Sequence, residues 1–312
     1  MKPVLLRRCA NEALPWILLL AGFLLVWNQT ARPQLLIRVL IPWAEVGVLA
    51  FAMTAIILTG GIDLSVGSIA AFSGVTLGLL TEQFGLPVPI AVCGAILGGT
   101  AAGAFNGLLI AKGLPSLVTT LATMAFFRGL ALLISGAKRV AGFPDDMLAL
   151  RSIAGLPTQF WFLLLIGLTA WILIHATRWG RWCFAIGDNR QAARFAGIPD
   201  HRTDFALYTI SGCIAGTVAV LNCIQHDTAV PDAFRGIELQ VIACVVVGGT
   251  LITGGHGSVG RTILGLAIVA SLDTGLMLLS FTVDFLTAES RLIVTGMLLI
   301  LLATWNQRLR IE

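Results

Sequence analysis

Apolar stretches follow one another along most of the chain, and each is ended by a few polar or glycine residues. A helix needs about 20 apolar residues to cross a hydrocarbon core about 30 Å thick. At that length the pattern predicts ten spans, namely 14–27, 42–59, 62–80, 88–111, 116–135, 159–175, 204–225, 238–252, 260–281 and 290–305. We therefore predict an all-α membrane protein, a polytopic helical bundle of about ten transmembrane spans with glycine-interrupted helices.

The composition is typical of the same class. Hydrophobic residues make up 57% of the sequence and charged residues 12%, and the mean hydropathy is +0.92. These values lie outside the range of soluble globular domains. The spans leave no room for a soluble domain, so residues 1–312 are predicted to form a single transmembrane domain. The first span lacks a small-residue cleavage site after Trp27, which favours a transmembrane helix over a signal peptide.

One interruption of the apolar pattern, between the second and third predicted spans, carries polar residues at membrane depth. It contains Gly60, Gly61, Asp63, Ser65 and Ser68. Irregular backbone inside a bilayer leaves peptide groups without hydrogen bonds, so it is tolerated only where protein or a water-filled path surrounds it. Asp63 has the position of an N-cap residue, whose carboxylate accepts from the free N–H groups of the next helix.

This interruption recurs later in the chain. Gly254 and Gly255 precede a Ser-Val-Gly triplet at 258–260, as Gly60 and Gly61 precede one at 65–67. Two glycine-interrupted apolar segments in separate parts of one chain are typical of transporters built from repeats, whose pathway lies at the breaks. We therefore predict a substrate pathway at the two glycine pairs.

Glycines within the predicted span 88–111 also recur at helical spacing. Gly94 and Gly98 stand four residues apart, as do Gly99, Gly103 and Gly107 in turn. Such a stripe lets a second helix approach closely. It predicts a compact bundle.

The loops differ in charge. With the N-terminus in the cytoplasm, the inner loops receive most of the lysines and arginines, so the positive-inside rule places both termini in the cytoplasm. The inner loop 177–203 holds five arginines, and helix-forming residues at 188–197 are bounded by Gly187, Gly197 and Pro199. They predict a short exposed helix, which either contacts anionic lipid headgroups or docks a partner. The outer loop 135–159 is either solvated or a docking surface.

No constellation of residues in the sequence indicates an enzyme. It has no HExxH, no GxSxG and no paired carboxylates. The scattered cysteines and histidines predict no metal site. None of the three lysines follows a glycine, so any ATP is bound by another chain. We expect no catalysis, no cofactor, no metal and no nucleic-acid partner.

Three ionisable residues lie deep within predicted spans, namely Asp63, Arg128 and Asp273. Intramembrane charges are functional hypotheses by default, for example as a proton relay. The alternative is that an Asp63–Arg128 pair only holds the bundle together.

Four segments carry a family resemblance: TGGIDLSVGS, NGLLIAKGLPSLVTTLATM, FAIGDNRQAARFAGI and VVVGGTLITGGHGSVGRTILG, in this order at 59–68, 106–124, 184–198 and 245–265. They resemble the ribose-type permeases, the membrane subunits of bacterial ATP-binding-cassette (ABC) sugar importers, related to branched-chain amino-acid permeases. The resemblance covers most of the chain. It implies an inner-membrane permease dimer of identical or related chains, two cytoplasmic ATP-binding subunits and a periplasmic sugar-binding protein.

The resemblance also implies a role for the inner loop, where the family has an EAAxxxG segment whose short helix docks on the ATPase. Gln191 replaces the usual glutamate, which leaves docking intact but weakens the prediction of a specific ion pair. The predicted docking helix comprises Asn189, Gln191, Ala192, Ala193, Gly197 and Ile198.

The family's neutral polyol solutes need hydrogen-bond partners that bind weakly, since tight binding would trap them. The predicted pathway comprises Gly60, Gly61, Asp63, Ser65, Ser68, Thr119, Thr120, Gly254 and Gly255. Two alternatives stay open: the same machinery for a branched-chain amino acid, a nucleoside or a furanone-type signal, and an ion-coupled secondary transporter or intramembrane enzyme.

Overall fold

The computed structural model describes residues 33–280, 293 and 296–297. The helices are α1 (Pro33–Leu58), α2 (Val66–Gly78), α3 (Val88–Ala111), α4 (Ser116–Ile134), α5 (Asp145–Leu148), α6 (Thr158–Ala176), α7 (Arg178–Asp188), α8 (Arg190–Phe195), α9 (Asp200–His226), α10 (Ile237–Val247) and α11 (Val259–Leu279). Helix α2 continues into a π-helical turn (Leu79–Gln83), and a 3-10 turn (Ala149–Arg151) follows α5.

Strands are few and short in the described part of the chain. They are β1 (Val140–Ala141), β2 (Ser152–Ile153), β3 (Leu156–Pro157) and β4 (Thr228–Ala229). Strand β1 pairs with β4 and β2 pairs with β3, both antiparallel. The all-α fold class predicted from the sequence is therefore confirmed.

Six helices of the described residues are long and apolar enough to cross a membrane: Ile41–Leu58 within α1, and the whole of α3, α4, α6, α9 and α11. They correspond to six of the predicted spans. The predicted span 62–80 begins too early, because α2 begins only at Val66, and the predicted span 238–252 ends too late, because α10 ends at Val247. The spans 14–27 and 290–305 lie outside the described residues. A count of ten spans is therefore not confirmed.

Helix α1 lies at the centre of the largest hydrophobic core. Leu49, Met53 and Ile57, which recur at helical spacing, are all almost completely buried. Side chains from α2, α9, α10 and α11 pack around them. The outer helices α3, α4 and α6 instead carry many exposed leucines and phenylalanines, as expected for surfaces that face lipid.

The predicted glycine stripe on α3 packs against α9. A Cβ atom added to Gly103 would overlap the carbonyl of Tyr208, and one added to Gly107 would lie 2.7 Å from that of Phe205. On α9, a Cβ at Gly212 would overlap the carbonyl of Gly99. The two backbones are thus in direct contact, as the stripe predicted.

The segment between α4 and α6 folds onto the end of α9. The N–H of Phe143 donates to Asp227 at 2.9 Å, and Arg151 Nε donates to the carbonyl of Ile224 at 2.9 Å. Met147 is buried beneath it. We call this end of the bundle, with the loops at 83–88, 134–158 and 226–237, the hairpin end.

Candidate functional site

The two glycine breaks meet at the end of the bundle opposite the hairpin end. The N–H of Gly255 donates a hydrogen bond of 3.0 Å to the carbonyl of Leu58, the last residue of α1. A Cβ added to Gly254 would lie 2.8 Å from the nitrogen of Gly60. Two segments that are far apart in sequence are therefore in backbone contact. We call this end, with the loops at 58–66, 111–116, 176–200 and 247–259, the glycine end.

The backbone at this junction requires glycine. The φ angles are +78° at Gly60, +92° at Gly254 and +77° at Gly255, a left-handed region in which a Cβ atom is strained. A third glycine, Gly187 of α7, presses against the junction so closely that a Cβ there would overlap the carbonyl of Leu58. The sequence analysis used Gly187 only as a boundary of the predicted short helix and did not place it at the pathway, because only its place in the fold shows this contact.

The repeat predicted from the two breaks is visible in the helices that follow. Helix α2 begins at Val66 after Ser65, and α11 begins at Val259 after Ser258. Ser258 caps α11 by accepting the N–H of Arg261 at 3.2 Å. Equivalent residues thus start both helices.

Asp63 is completely buried, and its carboxylate organises the turn before α2. One oxygen accepts the N–H of Ser65 at 2.9 Å and its hydroxyl at 2.6 Å. The other accepts the hydroxyl of Ser211 on α9 at 2.9 Å. The prediction of an N-cap was wrong, because the N-cap position of α2 is Ser65 and Asp63 binds a residue that precedes the helix.

The peptide group of Ile62 is held from two neighbouring helices. Its N–H donates to Ser116 Oγ at 3.3 Å, and its carbonyl accepts from Thr120 and from Tyr208, each at 3.2 Å. Asn106 of α3 donates to the hydroxyl of Ser65 at 2.7 Å. Each hydrogen bond of this kind lowers the free-energy cost of burying irregular backbone.

The other predicted pathway hydroxyls also bond within the protein. Ser68 donates to the carbonyl of Ser65 at 2.8 Å, and Thr119 donates to that of Pro115 at 2.9 Å. Ser68, Thr119 and Thr120 are all buried. Sequence reasoning missed Asn106, Ser116, Tyr208 and Ser211, whose role depends on contacts between distant helices.

Arg128 does not pair with Asp63. Its guanidinium donates to the carbonyls of Pro231 at 2.8 Å and Ala233 at 2.6 Å, in the loop before α10. The alternative of an Asp63–Arg128 pair was wrong, because Arg128 lies toward the hairpin end of α4. The third deep residue, Asp273, lies on α11.

A cavity of about 380 Å³ opens at the glycine end. It is lined by Gly60 and Gly61, by the loop between α3 and α4, by Arg190 and Arg194 of α8, and by residues of α9 including Asp204. The cavity therefore brings one predicted pathway pair next to the predicted docking helix. Gly254 and Gly255 lie at the junction but do not line it.

The short inner helix predicted at 188–197 is present as α8 (Arg190–Phe195). Asn189 caps it by accepting the N–H groups of Gln191 and Ala192, each at 3.0 Å. Gly197, with φ of +78°, ends it, and the N–H of Ile198 donates back to the carbonyl of Ala193 at 3.0 Å. This pattern is a Schellman motif.

The faces of α8 differ in exposure. Ala193 is buried against the protein, whereas Gln191, Ala192 and Gly197 are exposed. Phe195 is 88% exposed, the highest value among the exposed large hydrophobic residues described. The sequence analysis did not select Phe195, although an aromatic side chain on a short polar helix was a signal for a docking contact.

The fold and site define a class: a helical membrane transport protein whose interrupted segments meet at one end of the bundle. Within the described residues, no group of three or more His, Cys, Asp or Glu side chains could hold a metal ion.

Comparison with known proteins gives the family. The profile of the branched-chain amino acid transport system / permease component family matches residues 35–303. The ribose import permease protein RbsC of Escherichia coli is 35% identical over 241 residues, 74% of this chain and 74% of that protein. The autoinducer 2 import system permease protein LsrD of Salmonella typhimurium is 36% identical over 242 residues, 75% of this chain and 73% of that protein. The chain belongs to this family of transport permeases. No solved structure was found to match it.

Proposed function

We propose that this chain is the permease subunit of an ABC importer that carries a monosaccharide or a related sugar-derived solute across the bacterial inner membrane. The observation that carries the proposal is the junction of the two glycine breaks beside α8. It puts buried irregular backbone next to a short exposed helix, as expected where a partner outside the membrane moves the pathway. The two relatives, which import ribose and autoinducer 2, favour a sugar-type solute.

The glycine end is proposed to face the cytoplasm. Its loops and helix ends carry seven basic residues, Lys112, Arg178, Arg181, Arg190, Arg194, Arg202 and Arg261, and four carboxylates, Asp63, Asp188, Asp200 and Asp204. Those of the hairpin end carry four basic residues, Lys138, Arg139, Arg151 and Arg235, and six carboxylates, Glu82, Asp145, Asp146, Asp227, Asp232 and Glu238. An excess of lysine and arginine marks the cytoplasmic side. In this orientation α8 faces the ATP-binding subunit, and the hairpin end faces the periplasmic binding protein.

The solute pathway is proposed to run past the glycine junction. The residues proposed to line it are Gly60, Gly61, Asp63, Ser65, Ser68, Thr119, Thr120, Gly254 and Gly255. Because the hydroxyls of Ser65 and Thr120 are bonded within the protein, contact with solute requires these bonds to be exchanged for bonds to the solute. Such exchangeable hydroxyls offer a neutral polyol weak contacts, which favour passage over trapping.

Helix α8 is proposed to dock in a groove of the ATP-binding subunit, with Phe195 as its anchor. Gln191, Ala192 and Gly197 would surround the anchor, while Ala193 holds the helix to the permease. Fully burying a phenylalanine side chain stabilises by about 1.5–3 kcal/mol. Because Phe195 is 88% exposed in the isolated chain, its burial against a partner would gain most of this free energy.

Docking is tested by co-purification of the ATP-binding subunit with the detergent-solubilised permease. We expect Phe195→Ala to reduce the recovered ATPase at least tenfold, since one anchor contributes more than about 1.4 kcal/mol. Phe84→Ala is the matched control, because Phe84 is 69% exposed at the opposite end. Equal recovery with both variants would exclude Phe195 as the anchor.

Transport is tested with proteoliposomes that contain the permease and its ATP-binding subunit, supplied with the binding protein. We expect uptake of labelled ribose or autoinducer 2 to require ATP and to persist when a protonophore collapses the proton gradient. Competition between the two solutes then distinguishes the sugar from the sugar-derived signal. Uptake that survives without ATP and fails with the protonophore would instead indicate an ion-coupled transporter.

A further inference from the structure

One arginine of α8 joins three separate parts of the glycine end. Arg190, the first residue of α8, donates from Nη1 to Asp204 Oδ2 at 2.5 Å and from Nη2 to Asp204 Oδ1 at 3.3 Å. Nη2 also lies 3.3 Å from the carbonyl oxygen of Thr59, which it bonds. The same guanidinium therefore holds the second turn of α9 and the backbone at the end of α1.

The pair with Asp204 is shielded from water on one side. The side chain of Asp204 is 3% exposed and that of Arg190 is 38% exposed. In the described part of the chain, Arg190 is the one cationic side chain within 4 Å of this carboxylate. Removing one partner of such a pair leaves an uncompensated charge. Two nitrogens of the guanidinium bond the two oxygens of the carboxylate, a bidentate fork that a lysine ammonium does not form.

The bond to Thr59 satisfies a backbone carbonyl at the C-terminal end of α1. The last carbonyls of a helix have no partner within the helix, and a positive charge near them is stabilising. At this end the carbonyl of Leu58 accepts from Gly255, and the carbonyl of Thr59 accepts from Arg190. Directly after Thr59 the chain turns at Gly60. Arg190 therefore bonds the residue immediately before the glycine break.

A neighbouring arginine gives an internal comparison. Arg194, one turn later on α8, pairs with Asp200 at 2.8 Å, and its side chain is 50% exposed. It thus links α8 to the start of α9 in the same way as Arg190. However, only Arg190 of the two bonds the end of α1 among the contacts described.

We propose that Arg190 is the positioning residue that couples movement of α8 to the glycine break of α1. The inference rests on the proposed docking of α8 to an ATP-binding subunit and names the connection by which that subunit acts on the pathway. When α8 shifts, the guanidinium carries the Thr59 carbonyl and the buried Asp204 carboxylate with it. The α1 break and the second turn of α9 then move together rather than separately.

The test uses the full complex of permease, ATP-binding subunit and binding protein in proteoliposomes. The variants are Arg190→Lys, Arg190→Gln and the matched control Arg194→Gln. Three quantities are measured: ATPase retained on the permease, ATP hydrolysed, and labelled solute imported per ATP. We expect both Arg190 variants to retain ATPase within twofold, because the Phe195 face is unchanged, while solute imported per ATP falls at least tenfold. Arg194→Gln should lose at least threefold less import per ATP than Arg190→Gln, because it leaves the bond from Arg190 to Thr59 in place.

Arg190→Lys keeps a positive charge for Asp204, so it tests the fork without leaving a buried carboxylate unpaired. Normal import per ATP by Arg190→Lys and Arg190→Gln overturns the inference. Loss of bound ATPase with Arg190→Lys also overturns it, because Arg190 would then only shape α8. If the unmodified permease itself retains no ATPase, it is the proposed function that fails.

Discussion

The hydroxyl of Tyr208 donates a hydrogen bond of 3.2 Å to the carbonyl of Ile62. Tyr208 lies on α9 and is buried, and it is the single tyrosine of the sequence. Ile62 lies in the irregular segment between the glycine pair and α2. One side chain of a long helix thus holds the irregular backbone of the first break in place.

The first prediction follows from this bond. Tyr208→Phe removes one of two hydroxyls that reach the Ile62 carbonyl, so we expect it to lower the free energy of unfolding by about 0.5–1.5 kcal/mol. Adding Thr120→Val leaves that carbonyl without either bond and should cost a further 1–3 kcal/mol, roughly. Reversible unfolding in mixed micelles measures both. Thr169→Val, which removes an exposed hydroxyl of α6, should change little.

The second prediction concerns Asp63. In Asp63→Asn the amide oxygen still accepts from Ser65, and the amide nitrogen can donate to the hydroxyl of Ser211. We expect this variant to keep most abundance and transport, whereas Asp63→Ala leaves the buried Ser65 N–H unpartnered and should lose about 1–3 kcal/mol of stability. No ion pair of Asp63 occurs within the described residues. An inactive Asp63→Asn that is abundant and retains ATPase would show that the charge itself is required.

The third prediction concerns the close approach of Gly187. A methyl group there overlaps the Leu58 carbonyl, so Gly187→Ala must separate α7 from the glycine junction. We expect transport to fall at least tenfold. The control is Gly129→Ala on α4, where nothing lies within 4 Å of the added carbon and where alanine improves helix propensity by about 1 kcal/mol. Equal transport by the two variants would mean that the junction tolerates opening.

The fourth prediction concerns Glu45, a buried carboxyl of α1. The amide of Asn222 on α9 donates to its two oxygens at 3.0 and 3.2 Å. Burying a charge without a cation is costly, so we expect the neutral Glu45→Gln to be as stable as the unmodified chain, within about 1 kcal/mol. Glu45→Leu leaves Asn222 without these bonds and should be less stable. Unfolding in mixed micelles compares them, and a strongly destabilised Glu45→Gln would contradict the reasoning.

The fifth prediction is topological. In a chain whose accessible native cysteines are replaced, Gln191→Cys should react with a membrane-impermeant reagent only after the cells are opened. Asp145→Cys should react in spheroplasts directly, because it lies at the hairpin end. Both residues are exposed in the structure. Labelling of the two cysteines from the same side would contradict the proposed orientation.

The sequence predicted features whose signal is local. The glycine stripe on α3, the paired breaks and the short helix α8 each follow from spacing within one segment. The length of α10 was predicted wrongly, because Leu251 and Ile252 are apolar yet lie in the irregular segment after this helix. Hydropathy averages over a window and does not distinguish an apolar loop from an apolar helix. The sequence shows that these residues are apolar, but whether they are helical depends on packing.

Contacts between distant segments were beyond prediction for a different reason. The bond from Ser211 to Asp63 and the fork from Arg190 to Asp204 depend on how α9 lies against its neighbours. Nothing in the spacing of these residues shows the angle or register of that packing. The proposed Asp63–Arg128 pair failed because the two deepest opposite charges were matched by sign without knowledge of their depth along α4.

The glycine contact between α3 and α9 limits how the bundle can move. Where Gly103 meets Gly212 there are no side chains to change rotamer, so the two backbones cannot slide or part without losing the close contacts at Gly99, Gly103 and Gly107. We therefore expect the pair to move as one rigid body. Any opening for the solute should then involve helices such as α2, α4 and α10, and not a gap between α3 and α9.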